Sequence, residues 1–456
     1  MLTTHLVSSR EFKSWIAGEY YRDMGEGLTS ESMNTVLATV HAIAAHDSPE
    51  MPISQQRIAV FGGRYYLYLA DETQTVIEYS GAGWHICENS PVKFVFDKYK
   101  APLPIPRREG KIDKLWDFPR ISDRADRLIV AAVMVKGLVP GGTDPILAIS
   151  GYAGSGKTTS ANHLRSLIDP FTKGKVLSKL PESSDRIAIH AQRRRILAID
   201  NVSHISADRS DFLCTVSTGG GISKRELFSN QEEIILDVQN LIILTSIGNV
   251  VTKPDLLERS IVIDLARITP EDRESESDLA NGFDRYHGDI LGDLLNITVV
   301  ALQHRDTTNC PKYTRMAEFA HLGEGVQEYL KYAIGSVENR MAVGVDTANE
   351  IVIESSPVAS TLRSWISTNK EDWQGSASDL LNILKSHAKK SELAGTLPKT
   401  ANSLSGELKK CESALFQSGI SIVTNRTKSN RTISVCLQSP PLLNGQKDRH
   451  RLEDLS

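Results

Sequence analysis

Gly151, Gly154, Gly156, Lys157 and Thr158, within the run "GYAGSGKT", are the residue types that hold a chain of phosphates. They fit the pattern G-x-x-x-x-G-K-[ST], with the apolar run "PILAIS" before and a helix-forming run after, the setting the pattern requires. Glycines let backbone N–H groups curl around anionic oxygens, a lysine reaches the outer phosphates, and a threonine hydroxyl joins the shell of Mg2+. The expected cofactors are ATP and Mg2+. Gly151, Gly154, Ser155, Gly156, Lys157, Thr158 and Thr159 are expected on the nucleotide, with Thr158 on the metal.

Such a loop needs a second carboxylate at the end of a neighbouring strand. "RILAIDN" provides apolar residues followed by Asp200, expected to hold the metal through its water shell. The next residue is Asn201, which cannot accept a proton. Phosphoryl transfer rests mainly on positioning and charge stabilisation, so an amide that orients water suffices. The competing reading makes Asp200 the cap of the helix that follows. A third apolar run, "NLIILTS", ends in Thr245 and Ser246, polar groups at a strand's carboxyl end. "KPDLLERSIVIDL" puts Arg259 just before another strand. There it either crosses to a neighbouring subunit's nucleotide or pairs with Asp255 or Glu258. The expected catalytic set is Lys157, Asp200, Asn201, Thr245 and Arg259.

These residues must be held by an alternation of strands and helices. The runs "PILAIS", "RILAIDN", "LIILTS" and "SIVIDL" are nearly continuous in apolar residues and separated by helical patterns, which indicates a parallel sheet covered on both faces. The spacing predicts a helical region over 1–55, with serines placed to cap "SREFKSWIAGEYYRDM" and "SESMNTVLATVHAIAAH", and a small β region over 56–106. The core is expected over 107–280, opened by the proline-rich break "APLPIP" and a helix near 123–137, and followed by a helical region over 281–365. A C-terminal unit over 366–438 and a disordered tail over 439–456 complete the expectation. A chain of 456 residues is long for one core.

With 40% hydrophobic and 24% charged residues the composition is that of an ordinary soluble protein. No apolar run approaches the ~20 residues that span a bilayer, and the N-terminus lacks the order of a signal peptide, so a cytoplasmic chain without membrane contact is expected. Five cysteines lie far apart with no CxxC pair, which argues against both a zinc site and a disulfide framework. Net charge is −4, but residues 376–438 carry nine Lys/Arg against four Asp/Glu. A basic end on an acidic body suits a nucleic-acid-facing module, or simply a solvated face.

The order "ISGYAGSGKTTSANHLRSLIDP", "RILAIDNVSHISADRSDFLCTVSTGGGISKRELFSN", "LIILTSI" and "KPDLLERSIVIDL" resembles the ATPase half of phage, plasmid and genomic-island primase-helicases, a group similar to superfamily 3 helicases within the AAA+ class. The likeness spans about residues 110–340. "SREFKSWIAGEYY" and "GGRYYLYLAD" resemble segments that precede the motor, and "RMAEFAHLGEGV" resembles its helical lid. Nothing resembles a primase catalytic domain. The resemblance implies an α/β fold with an AAA+-like P-loop NTPase core and a lid. It implies a ring, a hexamer in the family's usage, acting on single-stranded or forked DNA beside a separate primase or other replication protein.

In that family a hairpin between the Asp strand and the third strand touches DNA in the pore. The matching positions lie in "TGGGISKRELFSNQEE", where Gly219–Gly221 permit a tight turn and Lys224 and Arg225 offer phosphate contacts. The bland alternative is a connector carrying a solvated basic pair. "AQRRRI", with Arg193–Arg195, reads as a solvated edge. The C-terminal unit has the order of a winged helix, with Lys409 on its recognition helix and Arg426, Lys428 and Arg431 around the hairpin turn; such modules bind either DNA or protein. Three functions fit: an ATP-driven DNA motor, an ATP-switched DNA-binding or loading protein with slow hydrolysis, and a signalling ATPase of phage defence.

Overall fold

Ser9 and Thr29 start the first two helices by the same device, each hydroxyl accepting a backbone N–H, from Phe12 at 3.1 Å and from Ser32 at 3.2 Å. Helix α1 covers Arg10–Met24 and α2 covers Ser30–His46, so the cap of α2 is Thr29 rather than the expected serine. The computed structural model describes residues 3–172, 180, 184–225, 233–248, 250–310, 316–388, 396–426 and 431–438. Residues 439–456, the expected tail, lie outside them.

After a short β1 (Ile53–Ser54), the run with period two folds into an antiparallel meander of β2 (Ile58–Phe61), β3 (Arg64–Tyr68), β4 (Val76–Ser80) and β5 (Gly83–Cys87). Gly62 and Gly63, at φ of 57° and 74°, make the tight β2–β3 turn, a conformation that strains any side chain. Strand β6 (Lys93–Phe94) returns to pair with β1. A 3-10 turn over Ile112–Asp117 leads to α3 (Arg124–Leu138), capped by Asp123, whose carboxylate accepts from the Asp126 N–H at 2.9 Å.

The centre then runs β7 (Ile146–Gly151), α4 (Lys157–Ile168), α5 (Ser184–Arg193), β8 (Ile196–Ile199), α6 (Ala207–Thr218), β9 (Gly220–Arg225), β10 (Glu233–Val238), β11 (Leu241–Thr245), α7 (Pro254–Leu257) and β12 (Ser260–Leu265). Strands β12-β7-β11-β8 form one sheet in that spatial order, every pair parallel. Side chains alternate between two cores. Leu147, Ile149, Ala198, Ile243 and Ile263 face one; Ile146, Ala148, Leu197, Ile242 and Leu244 face the other. Burial on both faces is why these strands read as continuous apolar runs.

The first core takes in the meander, α3 and the long α8 (Glu276–Thr307) with α9 (Ala317–Tyr329). Helices α10 (Ser336–Ser355) and α11 (Pro357–Asn369) follow, so the expected boundaries at 280/281 and 365/366 both fall inside helices. The second core continues from the sheet through α11 into the C-terminal unit of β13 (Trp373–Ser376), α12 (Ala377–Ala388), α13 (Ala401–Gln417), β14 (Ile420–Arg426) and β15 (Arg431–Leu437). Its strands pair antiparallel in the order β13-β15-β14.

Two sequence expectations are corrected here. The cluster Arg193–Arg195 is not a solvated edge. Arg193 is exposed, but Arg195 is fully buried and grips Asp144 in a two-pronged pair at 2.6 and 2.8 Å, with Lys136 on the same carboxylate at 2.7 Å. Burial alone would raise the Asp144 carboxyl, but Arg195 and Lys136 reverse this and hold it below the ordinary range. The depressed value makes this contribution fully present above the ordinary carboxyl pKa of about 3.9, and lost as pH falls below it. Asp144→Asn is therefore expected to cost about 1.5–3 kcal/mol at neutral pH and to flatten the acid limb of stability, measured by urea unfolding across pH 3–7. The second correction concerns Gly219–Gly221, which do not form the hairpin's turn. Gly219, at φ 90°, ends α6, and Gly220 and Gly221 begin β9.

Candidate functional site

Strand β7 ends at Gly151 and α4 begins at Lys157, so the glycine loop spans the carboxyl end of a central strand and a helix N-terminus. A Cβ at Gly151, where φ is 148°, would lie 2.7 Å from the carbonyl oxygen of Leu265, so only glycine fits the close approach to β12. Gly156, at φ 80°, precedes α4 with no side-chain cap, and the first turn has no acidic residue. The N–H groups of that turn and the positive end of the helix are left for an anion. Ser155 is fully buried beneath the loop, and its Oγ has no partner among the described residues. An uncapped helix start, a glycine-only cradle and an orphaned buried hydroxyl all fit a phosphate chain.

Lys157 Nζ donates to the carbonyls of Gly151 at 2.8 Å and Tyr152 at 2.7 Å, which keeps the ammonium over the loop. Partial burial pushes its pKa down, opposed by the charge of Asp200. Thr158 Oγ1 donates to Asp200 Oδ1 at 2.8 Å, so the two expected metal residues meet although 42 positions separate them. Thr245 donates to the same Oδ1, and its Oγ1 accepts the Asn201 N–H at 2.9 Å. Buried Thr245 thus fixes both Asp200 and the left-handed backbone of Asn201, whose φ is 53°. The cap reading of Asp200 fails, because α6 begins only at Ala207 after Ser206. Ser246, also buried, donates to the Gly248 carbonyl at 2.6 Å and turns away from this group. Exposed Thr158 and half-buried Asp200 form a pair of oxygen donors suited to a hard cation such as Mg2+.

Two arginines not expected from the sequence flank the loop. Arg273 brings a guanidinium nitrogen to 3.7 Å from the Cβ position of Gly154. Arg120 packs its stem by Gly156 and is tied to the Arg273 loop through the Asp272 carbonyl at 3.0 Å and Glu274 at 2.8 Å. No motif marks either residue, since both lie in irregular segments that only folding brings together.

Arg259 is not part of this group. Its backbone carbonyl accepts from Ile146 at the start of β7, while the loop leaves β7 at Gly151, about 16 Å further along the strand. Its guanidinium pairs with Asp255 Oδ1 at 3.0 Å and donates to the Asp255 carbonyl at 2.7 Å. The expected basic positions are remote as well. Lys224 and Arg225 occupy the end of β9 away from α6, in an antiparallel hairpin where Arg225 pairs in register with Glu233. Arg426 and Arg431 stand opposite each other at the end of the β14–β15 hairpin, Lys428 lies outside the described residues, and Lys409 is exposed on α13.

The mixed α/β fold with its central parallel sheet resembles the folds of solved helicase structures. SCCmec type IV Cch, solved as an active helicase, shares it, with 13% identity over 94% of this chain and 87% of that one and a TM-score of 0.50. The apo NrS-1 C-terminal region aligns with 11% identity over 80% of this chain and 94% of its own, at a TM-score of 0.34. No curated protein matches. Residues 112–342 match the actinomycete integrative conjugative element replication protein family, and residues 358–442 match the family's C-terminal domain. This chain belongs to that family of replication proteins. Among the described residues no helix is long and apolar enough to cross a membrane.

Proposed function

We propose that this chain is a Mg-ATP-dependent, oligomeric DNA motor of the helicase type that serves the replication of a mobile element. The observation that carries the reading is the meeting of Thr158 and Asp200 at 2.8 Å beside a glycine-rich loop at the uncapped start of α4. Backbone N–H groups of that loop and Lys157 hold the β- and γ-phosphates, while Thr158 and Asp200 hold the metal's shell. When bound, Mg2+ supplies charge neutralisation at the phosphate oxygens. Asn201 orients the attacking water, Thr245 holds Asp200 and Asn201 in place, and Arg120 and Arg273 close the charged rim of the loop. The core is AAA+-like and of the superfamily 3 kind, with α8 and α9 in the lid position, and the C-terminal unit is a winged helix. Subunits form a ring around single-stranded or forked DNA, with a separate primase or other replication protein as partner.

Steady-state ATP hydrolysis with and without single-stranded DNA, run beside native mass, tests this directly. Severalfold stimulation by DNA in an oligomer is the expected result. Nucleotide binding without turnover would sink the motor. It would support the ATP-switched loading protein, a reading favoured by Asn201 standing where a carboxylate base would act.

The DNA contacts are tested by substitution rather than deletion, because α12, α13 and β15 share a core with α11 and removing them would expose it. Replacing Arg426, Lys428 and Arg431 together by Ala is expected to flatten the slope of log K against log salt for single-stranded DNA by up to about 2, roughly 0.7 per lost phosphate contact. Arg426 and Arg431 are register partners at the end of the β14–β15 hairpin, which brings these basic positions together. An unchanged slope assigns the C-terminal unit to protein contacts.

A further inference from the structure

We infer that His304, His321 and Glu324, where α8 meets α9, form a binding site for a zinc-class divalent cation that fastens the two helices together. Each residue offers one ligand atom, and all three atoms lie within 4.8 Å of one another. His304 Nε2 stands 3.1 Å from Glu324 Oε2, close to the roughly 3.3 Å that separates two ligand atoms on a tetrahedral zinc ion. His321 and Glu324 are three positions apart on α9 and so share a face, turned toward the last turns of α8.

The surroundings suit ligation. Glu328 Oε2 lies 3.2 Å from His304 Nδ1, the arrangement in which a carboxylate takes the ring N–H and aims the other nitrogen at a metal. His321 is buried, with its Nε2 2.5 Å from Thr308 Oγ1, and its ring stands edge-on to that of His304 at 5.8 Å. An ion-pair clasp between His304 and the two glutamates would account for His304 but gives His321 no part. Two imidazoles and one carboxylate select a borderline ion such as Zn2+ over Mg2+, and the partial exposure of His304 and Glu324 leaves a fourth position for water.

The site is separate from the phosphate loop. His304 lies 28 residues beyond the start of α8, about 42 Å along the helix, whereas Arg273, beside the loop, just precedes that start. A cysteine census cannot find such a site, because its ligands are His and Glu on two helices.

The test uses the full chain, stripped with a chelator, and Zn2+ alone without nucleotide, followed by competition with a chromophoric zinc indicator. Co2+ serves as a second probe, read by its visible absorption. One tight equivalent is expected in the wild type and in Asp200→Ala, which separates this site from the Thr158–Asp200 pair. His304→Gln and Glu324→Gln are expected to weaken binding roughly 100-fold, and Glu328→Gln roughly 10-fold. Zinc should raise the unfolding midpoint only in the chains that bind it. Glu324 is partly exposed, so Glu324→Gln in chelator is expected to unfold where the wild type does. Equal zinc binding by wild type and Glu324→Gln, or no stoichiometric binding by the wild type, overturns the inference and leaves an ion-pair clasp.

Discussion

Lys157→Ala is expected to lower ATP turnover by orders of magnitude while the chain unfolds at the wild-type midpoint. The lysine sits at the start of α4 with its ammonium over the loop, bonded among the described residues to the carbonyls of Gly151 and Tyr152, and it is absent from both apolar cores. Its loss withdraws positive charge from where phosphate charge must be held, in a setting where partial burial makes each charge count for more than in water. Loss of such a group costs on the order of 10³-fold in turnover. Equilibrium nucleotide binding, steady-state hydrolysis and thermal unfolding of the variant check the result together. Normal binding and hydrolysis would remove the glycine loop from the chemistry and the proposed function with it.

The second large effect concerns Arg259 and tests assembly as well as chemistry. Its position at the opposite end of β7 from the loop means that it cannot serve its own subunit's site. A catalytic role therefore requires a neighbour, and the guanidinium would have to leave Asp255 as subunits meet. Asp255 is half exposed while the Arg259 side chain is only 15% exposed and also donates to the Asp255 carbonyl and to Thr218 Oγ1, so releasing the guanidinium costs on the order of 1–2 kcal/mol. On this reading Arg259→Ala lowers turnover on the order of 10³-fold with ATP affinity falling far less, because the charge acts on the transition state. Mixtures of Arg259→Ala and Lys157→Ala subunits recover part of the hydrolysis, since some interfaces pair an intact loop with an intact arginine. A purely structural Arg259–Asp255 pair gives no recovery at any mixing ratio in samples shown to exchange subunits. That outcome would retire both the arginine's role and this ground for expecting a ring.

Much of the site was legible because its signals are local. The glycine loop must be contiguous to wrap one anion, and each apolar strand is contiguous because both its faces are buried. The sequence by itself therefore determined the parallel α/β centre, the loop and Asp200 at a strand end. It also placed the helix cap of α1, where an oxygen must lie within one turn of the N–H it accepts. What it could not determine were contacts that depend on which strands become neighbours. Only the order β12-β7-β11-β8 sets Thr245 between Asp200 and the Asn201 backbone. Only the packing of the sheet edge against α3 turned Arg195 inward onto Asp144, against the expectation of a solvated basic cluster. Arg120 and Arg273 reach the loop from irregular segments that carry no periodicity, and His304 meets Glu324 because α8 and α9 pack side by side. Tertiary structure decides such partners because long-range proximity follows from burying apolar faces, which constrains where polar side chains arrive without leaving a mark in their own spacing.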